Sequence, residues 1–138
     1  MADYCLDSNV VSDILRKQPD VMRHLNEALD KDDNLFVSSI VYYEVVRGLK
    51  AACKTRMLKD FDKFYSNAKH LFLDENNLIS INKAIEIYLQ LHKGQTIEDN
   101  DIYIAAMSMV NGCTLVTANV RHFSRVEGLN FVNWRAHD

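Results

Sequence analysis

Proline and glycine are scarce in this chain of 138 residues: there is one proline, Pro19, and four glycines. That scarcity excludes collagen-like, linker-rich and low-complexity designs. Cysteine is also sparse. Three residues (Cys5, Cys53, Cys113) lie far apart with no CxxC between them, so neither a disulfide framework nor a zinc site is expected. They read as three small core residues in a reducing compartment. No apolar run approaches the roughly 18 residues of a membrane span. The opening MADYCLDSN has no basic stretch followed by an apolar one, so no secretory signal is expected and a cytoplasmic location is. Positive charge is not in excess either. Lys and Arg number 16 against 19 Asp and Glu, for a net charge of −3. Any attraction for nucleic acid must therefore come from a local basic patch, a metal ion, or both. GxSxG, GxxxxGK[ST] and HExxH are all missing, which removes serine-hydrolase, P-loop and zinc-protease chemistry.

What is present is enough apolar sequence, 48% of residues, for one packed domain over residues 1–138. Residues 3–7, DYCLD, read as a buried strand, and NVVSDILRK carries apolar residues at helical spacing. Pro19 separates it from a second helix in DVMRHLNEALDK. NLFVSS is a strand leading into IVYYEVVRGLKAA, a helix that Ser38 or Ser39 caps. Residues 54–70 and 77–93 read as amphipathic helices with LFLD, a short strand, between them. A helix over about 100–110 ends at Gly112. CTLVT is a strand, ANVRHFSRVEG a loop and LNFVNW a final strand. Short strands alternating with helices predict a three-layer α/β/α domain with a mainly parallel central sheet. In such sheets the functional crevice lies beyond the carboxyl ends of the strands.

Oxygen-bearing side chains collect at that end. Asp7 closes the first strand, Asn119 follows the CTLVT strand, Glu44 sits early in the helix after NLFVSS, and Glu98, Asp99 and Asp101 crowd the start of the helix near 100. Taken singly, Asp7 is a helix cap, Asp99 and Asp101 serve a helix dipole, and Asn119 is a turn residue. Glu44 stands among apolar neighbours, either on a solvent stripe or placed for a purpose. Taken together they describe a hard-cation site of oxygen ligands without His or Cys, suited to Mg²⁺ or Mn²⁺. A divalent ion relieves the mutual repulsion of such acids and activates water for phosphodiester cleavage.

The ordered set CLDSNVVSDIL, VSSIVYYEVVRGL and DNDIYIAAMSMVNGCTLVTANVRHFSRVEGLNFVNW resembles the PIN-domain ribonucleases, specifically the VapC-type toxins of bacterial toxin–antitoxin pairs, over nearly the whole chain. Ser8 stands where that family commonly has Thr. The resemblance implies that Asp7, Glu44 and Asp101 are the metal-binding and catalytic acids. It puts Asn119 at the position of the fourth, often Asp but frequently Asn, with the close neighbour Asp99 as a further candidate ligand. It implies support from Asn9 and Thr117. It further implies Mg²⁺-dependent endoribonuclease activity (Mn²⁺ a substitute), an RNA substrate of the tRNA or rRNA class, a homodimer, and a cognate VapB-like antitoxin covering the site. Nearby Arg47, Arg121 and Arg125 are candidates for holding RNA, and His122 is close enough in sequence to be considered for proton transfer. Each of these is also readable as a solvated surface group.

Two phosphate chemistries are disfavoured. An aspartyl-phosphate hydrolase needs an acid two residues after its first Asp, where this chain has Asn9. A receiver domain needs an acidic pair in the first strand and a late Lys, and only Asp3 and CTLVTAN are offered. The remaining rival is a non-catalytic PIN-like module that binds RNA or a protein partner. Retention of three carboxylates favours the enzyme, while Asn119 and the acidic net charge favour the rival.

Overall fold

The alternation of apolar and amphipathic runs becomes five strands and seven helices among the described residues of the computed structural model, 1–73, 78–91 and 94–135. In chain order they are β1 (Asp3–Leu6), α1 (Ser8–Leu15), α2 (Pro19–Asp30), β2 (Asn34–Ser38), α3 (Ser39–Ala51), α4 (Thr55–Asn67), β3 (Lys69–Leu71), α5 (Ile79–Gln90), α6 (Asp99–Val110), β4 (Thr114–Val116), α7 (Val120–Phe123) and β5 (Phe131–Val132). The sheet runs β3-β2-β1-β4-β5 with every pair parallel. Helices flank it, giving the expected α/β/α layering. The chain builds outward from β1 to β2 and β3, then returns to place β4 on the other side of β1. That reversal puts a topological switch point between β1 and β4, where crevices form in open parallel sheets.

The interior strands are buried because both faces of a parallel sheet are covered. Cys5, Leu6, Val37, Leu115 and Val116 have no measurable exposure, and Phe61, Ile104, Met107 and Phe123 pack on them from the helices with none either. α6 is hydrophobic nearly all round, with Ile102, Ile104, Ala105, Ala106 and Met107 all buried, as a central helix must be.

Helix ends explain how the chain manages with so little glycine. α1, α2, α3 and α6 each finish with a residue in the left-handed region followed by a 6→1 backbone bond: Gln18 N–H to Asp13, Asp33 to Ala28, Lys54 to Leu49 and Cys113 to Ser108, all at 2.9 Å. Only the last uses glycine, Gly112 at φ +67°; the others place Lys17, Asp32 and Cys53 at φ +58°, +56° and +55°. A side chain there costs about 1–2 kcal/mol relative to glycine.

Several sequence expectations shift. Cys53 is exposed while Cys5 and Cys113 are buried. It is the left-handed residue just past α3, turned to solvent, and so not a core residue. The helix expected over 54–70 stops at Asn67, because Lys69 and His70 pair with Phe36 and Val37 on β2 as the edge strand. That strand therefore lies two residues ahead of LFLD, whose Asp74 falls outside the described residues. α5 is shorter than the expected 77–93, of which residues 77, 92 and 93 are likewise outside them. The expected loop 118–128 contains the one-turn helix α7. The last strand contracts to Phe131 and Val132. Trp134 beyond it is buried, edge-on to Tyr4 at 5.4 Å and stacked on His24 at 5.8 Å. Arg135 forks onto the buried Asp13 with contacts of 2.5 and 2.8 Å, tying the end of the chain to α1.

Candidate active site

Asp7 and Thr117 leave neighbouring parallel strands at the same level, since Leu6 pairs with Val116 and Asp7 N–H donates to the Val116 carbonyl at 2.9 Å. Their side chains meet: Thr117 Oγ1 donates to Asp7 Oδ2 at 2.8 Å, and both residues are buried. The same hydroxyl oxygen accepts from Asn119 N–H at 2.9 Å. Asn9 straps the two segments together, its amide donating to Asp7 Oδ2 at 3.3 Å and its carbonyl accepting from Ala118 N–H at 3.1 Å. Asp7 Oδ1 accepts from Ser8 N–H at 2.8 Å, so Asp7 is both a helix cap and a member of the cluster.

The network continues outward. Asn119 Nδ2 lies 2.8 Å from His122 Nδ1, and that nitrogen lies 3.5 Å from Asp101 Oδ2 on the first turn of α6. Glu44 approaches from α3, where Asn100 Nδ2 donates to its Oε2 at 3.4 Å. Glu44 also lines a cleft of about 330 Å³ between α1 and α3 with Ser8, Asn9, Ser12 and Arg47. Asp7, Asn119 and Asp101 are thus linked through Thr117 and His122, and Glu44 joins Asp101's helix through Asn100.

The electrostatics are those of acids forced together. Burial, with the charges of Asp101 and Glu44, pushes Asp7 up to about 6 against the pull of its bonds to Thr117 and Ser8. Burial also raises Asp101, opposed by His122 and assisted by Glu98. Glu44 Oε1 is buried with no hydrogen-bond partner among the described residues. A carboxylate oxygen left so is destabilised unless a proton or a cation meets it. Among the described residues no three His, Cys, Asp or Glu side chains are grouped closely enough, as they stand, to hold a metal ion. The fit to a hard divalent cation rests instead on an unpartnered buried oxygen, on charges of Asp101 and Glu44 close enough to add to the rise of Asp7, and on an all-oxygen donor set.

Asp99 does not share this cleft. It lines a different one between α5 and α6, with Ile81, Ile85, Tyr88, Ile102 and Tyr103. Two residues apart on a helix are about 200° apart around it, so Asp99 and Asp101 face opposite ways. Arg47 is held over the Tyr43 ring, 4.9 Å from its centroid, at the mouth of the Glu44 cleft. Arg125 is engaged elsewhere, donating to the Thr96 carbonyl at 3.4 Å. Arg121 lies exposed on α7. Sequence reasoning did not find Asn100, whose contact with Glu44 spans 56 positions. Its place beside the acids on the first turn of α6 was the available signal.

A family model described as the PIN domain matches residues 4–129. The chain is 30% identical over 138 residues to Ribonuclease VapC2 of Rickettsia felis, covering 95% of this chain and 97% of that one. It is 31% identical over 137 residues to Ribonuclease VapC2 of Haemophilus influenzae, covering 97% and 99%. The crystal structure of VapBC2 from Rickettsia felis bound to a DNA fragment from their promoter superposes with a TM-score of 0.83 at 28% identity, over 96% of this chain and 98% of that one.

Proposed function

This chain belongs to the PIN-domain family, and on that premise we propose that it is an endoribonuclease toxin of the VapC kind, held inactive by a cognate VapB-like antitoxin and dependent on a divalent metal ion. Near-complete alignment with VapC ribonucleases at 30% and 31% identity supports the ribonuclease toxin. Alignment with a VapBC complex supports the antitoxin. The observation that carries the metal-dependent reading is the unpartnered, buried Glu44 Oε1, in a cluster whose Asp7 is pushed up by burial and, to a smaller degree, by the charges of Asp101 and Glu44.

Asp7, Glu44 and Asp101 are the carboxylates that would hold Mg²⁺, with Mn²⁺ a substitute, and Asn119 would add a neutral oxygen. When bound, such an ion supplies water activation and charge stabilisation at a phosphodiester. The chain's own residues do the rest. Thr117 and Asn9 fix the Asp7 carboxylate by donating to its Oδ2. Arg47, at the cleft mouth, offers a cation to an RNA phosphate. The substrate is expected to be RNA of the tRNA or rRNA class, and the working form a homodimer in the cytoplasm. None of the described helices is long and apolar enough to cross a membrane.

The antitoxin seat we assign to a groove of about 470 Å³ between α1, α2 and α4, lined by Ile14, Leu15, Leu25, Leu29, Leu35 and Phe64 and edged by three cations, Lys17, Arg56 and Lys63, and one acid, Asp60. An amphipathic segment with apolar and acidic residues suits that lining. Induced expression tests the function. Growth should stop, co-expression of the antitoxin should restore it, and Asp101→Ala should restore it without the antitoxin. Equal toxicity of the Asp101→Ala protein would favour a binding module over a nuclease.

A further inference from the structure

Glu44 and Arg47 stand three residues apart on α3, a spacing at which an acid and a cation ordinarily close on one another. Both line the same cleft between α1 and α3. Yet none of the ion pairs among the described residues joins them, and Glu44 Oε1 is buried with no partner among those residues. An acid that lacks a partner and a cation one turn away that does not supply one require something to keep them apart.

Tyr43 is in place to do so. The Arg47 guanidinium turns back along the helix and lies over the Tyr43 ring, 4.9 Å from its centroid, and its Nη1 donates to the Tyr43 hydroxyl at 3.4 Å. The face of an aromatic ring attracts a guanidinium within about 6 Å. Unlike a carboxylate, the ring does not neutralise it, so Arg47 keeps its whole charge for a phosphate. Arg47 closed on Glu44 would do the opposite. It would engage the carboxylate oxygens as a fork and shut them to a metal ion. Glu44 Oε2 is otherwise met by Asn100 Nδ2, a neutral donor at 3.4 Å, which leaves the charge of the acid uncompensated.

We propose that Tyr43 is a positioning residue that holds Arg47 at the cleft mouth and off Glu44, so that the acid stays open to a metal ion and the cation to RNA. This rests on the metal-site reading above. Tyr43 touches neither metal nor reacting atoms in this account and acts only through Arg47. Disturbing a group that governs a metal ligand typically lowers metal affinity about 10–100-fold. The side chain is 55% exposed, so its removal leaves no core cavity.

The test is a double-mutant cycle read by Mn²⁺ binding to the purified full chain, with titration followed by the resonance of free Mn²⁺ and circular dichroism confirming the fold of each variant. Tyr43→Ala frees Arg47 to close on Glu44 and should weaken binding about tenfold. Adding Arg47→Gln to that variant removes the competitor and should restore the parent's affinity. A loss that Arg47→Gln does not restore would assign Tyr43 a general structural role and overturn the proposal. Undiminished binding by Tyr43→Ala overturns the proposal alone. So does binding by Arg47→Gln where the parent binds nothing, since Arg47 would then already occupy Glu44. Failure of both the parent and Arg47→Gln to bind Mn²⁺ overturns the metal reading and the proposal with it.

Discussion

Asp7 makes the cost of burying an acid in this cluster measurable as stability. Its carboxyl is pushed from an ordinary 3.8 to about 6 in the folded, metal-free chain. A carboxyl raised on folding favours the folded state while protonated and opposes it once ionised. Its stabilising effect is full below about pH 4 and lost as pH rises through about 6, the reverse of the usual salt-bridged Asp. A shift of roughly two units at about 1.4 kcal/mol each sets the size near 3 kcal/mol. Much of it, about 2–3 kcal/mol, falls between pH 4 and pH 7. Asp7→Asn has no such ionisation. It does lose a hydrogen bond, because Asp7 accepts from Ser8 N–H at Oδ1 and from Thr117 Oγ1 at Oδ2, and an amide has only one oxygen to offer. That loss is the same at every pH, so the pH dependence isolates the charge. Urea unfolding of both proteins in EDTA should show the variant gaining about 2–3 kcal/mol relative to the parent from pH 4 to pH 7, or about 8 °C in melting temperature. Adding Mg²⁺ at pH 7 should stabilise the parent and not the variant. A stability difference that does not change with pH would refute the argument, since it would mean Asp7 ionises as an ordinary exposed acid.

Two further perturbations reach other parts of the account. Arg135→Ala removes the fork on Asp13, whose side chain is 4% exposed, and leaves a buried acid whose remaining ion pair among the described residues is a 3.4 Å contact to Arg16. Chemical denaturation should show a loss of about 2 kcal/mol, discounted for Arg135's own exposure, and an unchanged midpoint would deny the tie any role. Leu29→Glu puts a charge in the apolar groove at a residue 52% exposed. It should leave the melting temperature within about 2 °C and weaken antitoxin capture by about tenfold or more, whereas undiminished capture would place the antitoxin elsewhere.

The sequence reading went furthest where pattern and rule were local. Strand ends at Asp7 and before Asn119, read with the crevice rule for parallel sheets, anticipated that the two would meet, and the β1–β4 pairing brings them together through Thr117. The same rule grouped Glu44 and Asp101 with them. Asp99 was separable from Asp101 in principle, because helical spacing alone turns residues two apart to different faces. Edge pairing with β2, not helical periodicity, decides the fate of Lys69 and His70, and no local signal announces it. Left-handed Lys17, Asp32 and Cys53 were hidden because glycine, the usual marker of that geometry, is missing there. The contacts of Asn100 with Glu44 and of Arg135 with Asp13 span 56 and 122 positions. Only the folded chain brings such pairs within reach.

The most direct measurement is cleavage of total RNA by the purified chain, run in parallel with Mg²⁺, with EDTA, and with the Asp7→Ala protein in Mg²⁺. Discrete fragments in the first lane that vanish in the other two are the predicted result, with circular dichroism showing the variant still folded. Fragments that persist in EDTA, or an Asp7→Ala protein that cuts as well as its parent, would contradict a metal-dependent nuclease built around Asp7.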